Sequence, residues 1–157
     1  MSEEFQLTQA DYDRWQEASR GTFWDHLGCA IEDVSAKKVV VSLQIERHHL
    51  NLIGILHGGV HATMLDSAMG LMAMIQRPKA DVVTVNLNVN YVASVGEGKI
   101  IVTAEPVHSS RKLITAQAFA RKENGDLLAF GTGTFRVIDR KTGETEDREG
   151  GAAGGGN

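Results

Sequence analysis

A chain of 157 residues with 42% hydrophobic and 23% charged residues has the composition of an ordinary globular domain. A net charge of −4, with no basic run longer than Arg111-Lys112 or Arg121-Lys122, argues against nucleic acid as a partner. The N-terminus lacks the basic-then-apolar order of a signal peptide, no apolar run is long enough for a bilayer, and a single cysteine, Cys29, excludes an internal disulfide. The expected protein is cytoplasmic, with no membrane partner, and Cys29 is expected to be a small core residue.

Thr8 is placed to cap a helix over Gln9–Ser19, with Asp11 three residues on as its acidic partner. Tyr12, Trp15 and Ala18 are expected to face inward, and Gly21 to end the helix. A further helical turn is expected over Thr22–His26, closed by Gly28, then a short strand over Cys29–Glu32. Lys38–Glu46 alternates as a strand, with Val39, Val41, Leu43 and Ile45 on its apolar face. A loop over His48–Leu56 leads to a helix over Gly59–Gln76, which Pro78 prevents from continuing.

This helix is apolar nearly all round. Val60, Met64, Ala68, Leu71 and Ile75 form one stripe, and Leu65, Met69 and Met72 thicken it, which marks a buried rod. The methionines with Leu65 also offer an adaptable apolar surface. Asp66 lies mid-helix, and a buried carboxylate costs several kcal/mol unless it is paired, hydrogen-bonded or protonated.

The second half reads as strands. Val82–Val92 puts Val83, Val85, Leu87, Val89 and Tyr91 on one face and Thr84, Asn86, Asn88 and Asn90 on the other. In Lys99–His108, Pro106 marks an edge, an end or a bulge. Leu113–Lys122 presents Ile114, Ala116, Ala118 and Ala120, a face small enough for a helix to sit closely. Asn124-Gly125 is a hairpin signal leading to Leu127–Ile138, where Gly131 and Gly133 allow close approach. Residues 1–138 are expected to form one domain. Residues 139–157, charged and glycine-rich, have nothing to bury and are expected to be disordered. Five or six strands with one long buried helix define an α+β protein, a curved antiparallel sheet wrapped around the helix.

Between the first long strand and the helix, Asn51, Gly54, His57-Gly58-Gly59 and Asp66 spell N-x-x-G-x-x-H-G-G-x-x-x-x-x-x-D. The glycines open the first turn of a helix, whose N–H groups lack internal partners and favour negative charge. Motif and element order together resemble the hotdog fold. Within it they resemble the acyl-CoA thioesterases of the phenylacetate-degradation and thioesterase-superfamily-member-2 type, over roughly residues 35–137.

The resemblance implies hydrolysis of acyl-CoA thioesters, with the Gly58 N–H as oxyanion donor and Asp66 as general base or nucleophile. Asn51 would hold the thioester carbonyl or the attacking water, His57 would order the loop and bond the substrate, and Thr84 would bond the water or the carboxylate. Gly59, Arg111 and Lys112 would bind substrate, the two cations meeting the CoA phosphates. Each position also has a structural reading: Asn51 as a turn former, His57 as a helix-entry residue, Gly58-Gly59 as a packing device, Arg111-Lys112 as a solvated turn. No metal or redox cofactor is expected, since His57 and His61 lack the His-Glu-x-x-His order. Two other readings share these features: an enoyl-CoA hydratase and a non-catalytic acyl-CoA-binding module.

Spacing adds a constraint. Eight residues at ~1.5 Å rise separate Gly58 from Asp66 by about 12 Å, too far for both to touch one carbonyl. The pair would therefore come from two subunits, so the expected protein is a homo-oligomer, a dimer at least, with tetramers common in the family.

Overall fold

The computed structural model describes residues 7–140, so the tail expected to be disordered lies almost wholly outside the described residues. Helix α1 spans Gln9–Ser19, and Thr8 caps it in a reciprocal box with Asp11. The hydrogen bonds that the Asp11 carboxylate accepts from Thr8, backbone first, hold it below its ordinary pKa. Helix α2, Phe23–Leu27, ends on Gly28, whose φ of 80° suits a residue with no Cβ. Tyr12 and Trp15 are half-buried as expected, but Ala18 is exposed, and α1 has no fully buried side chain.

Strands β1 (Ala30–Val34) and β2 (Val39–Gln44) form a hairpin at one edge of a six-stranded antiparallel sheet. Helix α3, Gly58–Gln76, then carries the chain to the opposite edge, where β3 (Ala80–Tyr91) lies. Strands β4 (Lys99–Ser109), β5 (Leu113–Lys122) and β6 (Leu127–Asp139) fill the middle, in the order β1-β2-β4-β5-β6-β3. Pro106 sits at a bulge, beyond the point where β2 stops pairing with β4, so its missing N–H leaves no ladder bond unmade there.

The core is the seam between α3 and this sheet. Val39, Val41 and Leu43 of β2, Ile100, Val102 and Ala104 of β4, and Ile114, Ala116, Ala118 and Ala120 of β5 are all buried against Met64, Leu65, Ala68, Met69 and Met72. The alanines of β5 let the helix sit close. A Cβ on Gly133 of β6 would come within 2.9 Å of Phe135 and 3.1 Å of Met69, so only glycine fits that contact. Sheet and helix together form a hotdog fold.

Two corrections bear on the site. First, α3 is buried on one face only: Leu71 is half-exposed with Asp66, Ser67, Gly70 and Met74 on the other. Second, the even alternation read for β3 fails. Thr84 pairs with Phe135 and Asn86 with Thr134, leaving Val85 as an extra, bulged residue. Since paired residues share a face, Val82 and Thr84 lie on the helix side before the bulge, and Leu87, Val89 and Tyr91 after it.

Candidate active site

His57 is the N-cap of α3, which begins at Gly58, one residue earlier than expected. Its Nδ1 accepts a hydrogen bond from the Gly59 N–H at 2.8 Å. That fold-back requires glycine, because a Cβ at position 59 would lie 2.9 Å from Nδ1. The Gly59 N–H is therefore taken up within the turn. The N–H of Val60 bonds the His57 carbonyl at 2.9 Å. Among the described residues, the first turn leaves the N–H of Gly58 without a partner.

Gly58 is held from the other side. The Tyr91 hydroxyl, on β3, donates to the Gly58 carbonyl at 2.7 Å. The Tyr91 ring also meets His61 edge-on, with centroids 5.6 Å apart. His61 is buried, burial holds its pKa below the ordinary value, and its Nδ1 has no partner among the described residues. His57 and His61 thus have unlike surroundings, one exposed and capping, the other sealed under Tyr91.

Asn51 shapes the loop. Its Oδ1 accepts from the N–H groups of Ile53 at 3.1 Å and Ile55 at 3.2 Å. The turn-forming reading is therefore correct for the oxygen, and only the Nδ2 hydrogens remain for a ligand. Asn51 and His57 line a surface hollow with Arg47, and the apolar tip of the loop, Leu52 and Ile53, is exposed.

Asp66 is half-buried, not sealed in the core. Its Oδ1 accepts a hydrogen bond from the Thr84 hydroxyl at 2.9 Å. The bulge at Val85 makes this contact possible, and it gives Thr84 the partner that even alternation denied it. Both residues line a cavity of about 370 Å³ together with Leu71 and Met74 of α3 and Trp15 and Trp24 of the N-terminal helices. Met64, Leu65, Met69 and Met72, expected to offer an adaptable surface, are instead fully buried against the sheet.

Arg111 and Lys112 precede β5 and line a surface hollow with Arg136, Val83 and Val85. Val83 pairs with Arg136 and Thr84 with Phe135, so this cationic hollow and the Asp66–Thr84 pair share one end of β3, on opposite faces. Arg136 and Trp24 carry no mark in the sequence, and Trp15 and Tyr91 were expected only as members of an inward helix face and a strand face, not as site residues. Cys29 is half-buried against the core, and burial raises its thiol to about 11, which suits a packing residue.

A free N–H at a helix start and a hydroxyl-steadied carboxylate are groups that acyl transfer can use. Residues 53–129 match the family model described as the thioesterase superfamily. Acyl-coenzyme A thioesterase 13 of Mus musculus is 33% identical over 101 residues, which cover 62% of this chain and 71% of that protein. The structure of zebrafish thioesterase superfamily member 2 superimposes with a TM-score of 0.75 at 26% identity, covering 84% of this chain and 99% of that one. A thioesterase from Haemophilus influenzae, at 21% identity, shares the fold with a TM-score of 0.79 over 88% of this chain and 96% of its own. The chain belongs to the thioesterase superfamily, a class of thioester hydrolases.

Proposed function

We propose that this protein hydrolyses acyl-CoA thioesters to the free acid and CoA, at sites each built from two subunits. One observation carries the reading: a cavity-lining Asp66, steadied by Thr84, lies about 12 Å along the same unbroken helix from the spare N–H of Gly58. One subunit lends that N–H to the thioester oxygen, where charge develops as the carbonyl becomes tetrahedral. The other subunit lends Asp66.

Asp66 either takes a proton from the attacking water or attacks the carbonyl itself, giving a mixed anhydride that water opens. Both routes expel CoA thiolate, and neither calls on a metal or redox cofactor. The Asn51 Nδ2 donates to the carbonyl or holds the water, and the outer nitrogen of His57 faces the substrate while Nδ1 caps the helix. Arg111 and Lys112, joined by Arg136, offer charge for the CoA phosphates.

The sheet edges support association. The β1 edge is five residues long and carries Glu32 and Asp33, which discourages pairing. Strand β3 is twelve residues long, and from Val82 to Tyr91 it bears no charge. Its outward residues Val83 and Val85 are exposed, as are Leu52 and Ile53 on the motif loop. Such an edge is a template for a second copy, and an isologous dimer has two equivalent sites.

The test is thiol release from a panel of acyl-CoAs. Asp66→Ala is expected to lower kcat by ~10²–10⁴ with KM little changed. Equal rates in the two proteins would overturn the reading. Single-turnover hydrolysis in heavy-oxygen water then separates the routes, since label recovered in Asp66 identifies the anhydride.

A further inference from the structure

We infer that the substrate's acyl group binds beneath α1, against Trp15 and Trp24, and that this aromatic roof selects a compact apolar acyl group, aryl or medium-chain. The inference rests on the acyl-CoA reading of the Asp66 site and names its substrate class.

The cavity that holds Asp66 and Thr84 has a floor of Val82, Thr84 and Phe135 from the sheet and two flanking walls of different origin. One is the half-exposed face of α3, where Ser67, Gly70, Leu71 and Met74 follow Asp66 at helical spacing for about 12 Å. The other is Trp15, Ala18, Ser19, Trp24 and Ile31, from α1, α2 and β1. Beyond Asp66 and Thr84 the lining is mostly apolar, so the carboxylate marks the reacting end and the rest suits hydrocarbon. At about 370 Å³ the cavity lies low in the ~300–1,000 Å³ range of ligand pockets, which fits an acyl group and leaves CoA outside.

The roof is built to adjust. Trp15, Ser19, Trp24 and Ile31 also line a second void of about 310 Å³ on the side of Cys29 and Asp25, so the indoles have space on both sides. No side chain of α1 is fully buried, and Trp15 is only half-buried where it packs on the core, so α1 is the less firmly held wall.

The chain's only two tryptophans are these two, so its intrinsic fluorescence reports on this pocket. Two unhydrolysable thioethers, S-octyl-CoA and S-methyl-CoA, share the CoA and differ in the group at issue. S-octyl-CoA is expected to change the tryptophan emission of the wild-type protein, with the change halved or more in Trp15→Phe; S-methyl-CoA is expected to leave it unaltered. Trp15→Ala is expected to reduce the ratio of kcat/KM for octanoyl-CoA over acetyl-CoA about tenfold, the scale of one large apolar contact. Calorimetric binding of S-octyl-CoA without any emission change would overturn the proposal, as would the absence of binding. Emission change in a protein that hydrolyses no thioester would sustain the pocket and sink the hydrolase reading, so the two failures are distinct.

Discussion

The three consecutive residues His57, Gly58 and Gly59 do three separate jobs. His57 folds back on the Gly59 N–H, Gly59 has no Cβ to block it, and the Gly58 N–H stays unbonded among the described residues. Tyr91 fixes that turn through the Gly58 carbonyl. Tyr91→Phe keeps the ring and removes the bond, so kcat is expected to fall about five- to tenfold, the scale of ~1 kcal/mol, with KM little changed. An unaltered kcat would make the hydroxyl a bystander. The motif residues were legible because their spacing is local and their chemistry unusual on an apolar helix. Tyr91 was not, because its partner is 33 residues away and nothing in a β-strand's composition names the residue its hydroxyl will reach.

Elements were read more accurately than their faces. The sequence expectation placed α1, α3 and the long strands within a residue or two, since capping, alternation and Asn124-Gly125 are local signals. The bulge at Val85 was invisible, because β-branched valines suit a strand whether or not one of them is extra. That one residue decides whether Thr84 meets Asp66. The helix start also carries a pH-sensitive group, because His61 is buried beside Tyr91 with its Nδ1 unpartnered among the described residues. Burial lowers its folded-state pKa, so the unfolded chain takes up the proton first as pH falls. Stability is expected to decline below pH ~6.5 towards the depressed folded value. The lowered carboxylates Asp11 and Glu32, the latter bonded to Ser42 and Lys99, act only at more acid pH. Melting temperatures between pH 7.5 and 5.5 test this: His61→Phe is expected to flatten the slope, and an identical slope in the variant would assign it elsewhere.

At the scale of the molecule, the distance between Gly58 and Asp66 was already fixed by the sequence spacing, because no helix of this length can fold its start onto its middle. The structure adds the unbroken α3 and a β3 edge that carries no charge from Val82 to Tyr91. The sequence could not supply the cavity walls, since Trp15 and Met74 lie far apart in the chain and come to line one cavity only in the folded protein. A dimer is the expected smallest active species, and sedimentation with activity measured across the same concentrations should show both lost together on dilution.

The most direct test pairs two inactive variants. Gly58→Pro removes the N–H, since proline is favoured at the first position of a helix and His57 already has the extended backbone that precedes it. The added Cβ would come within 3.2 Å of the Tyr91 hydroxyl, so Gly58→Ala, which adds the same Cβ and keeps the N–H, is the control. Asp66→Ala removes the carboxylate. Each homodimer is expected to be inactive, while the purified heterodimer, combining one chain's Gly58 with the other's Asp66, is expected to recover about half the wild-type kcat per dimer, from one intact site in two. A heterodimer as inactive as its parents would place both groups in the same chain and contradict the shared site.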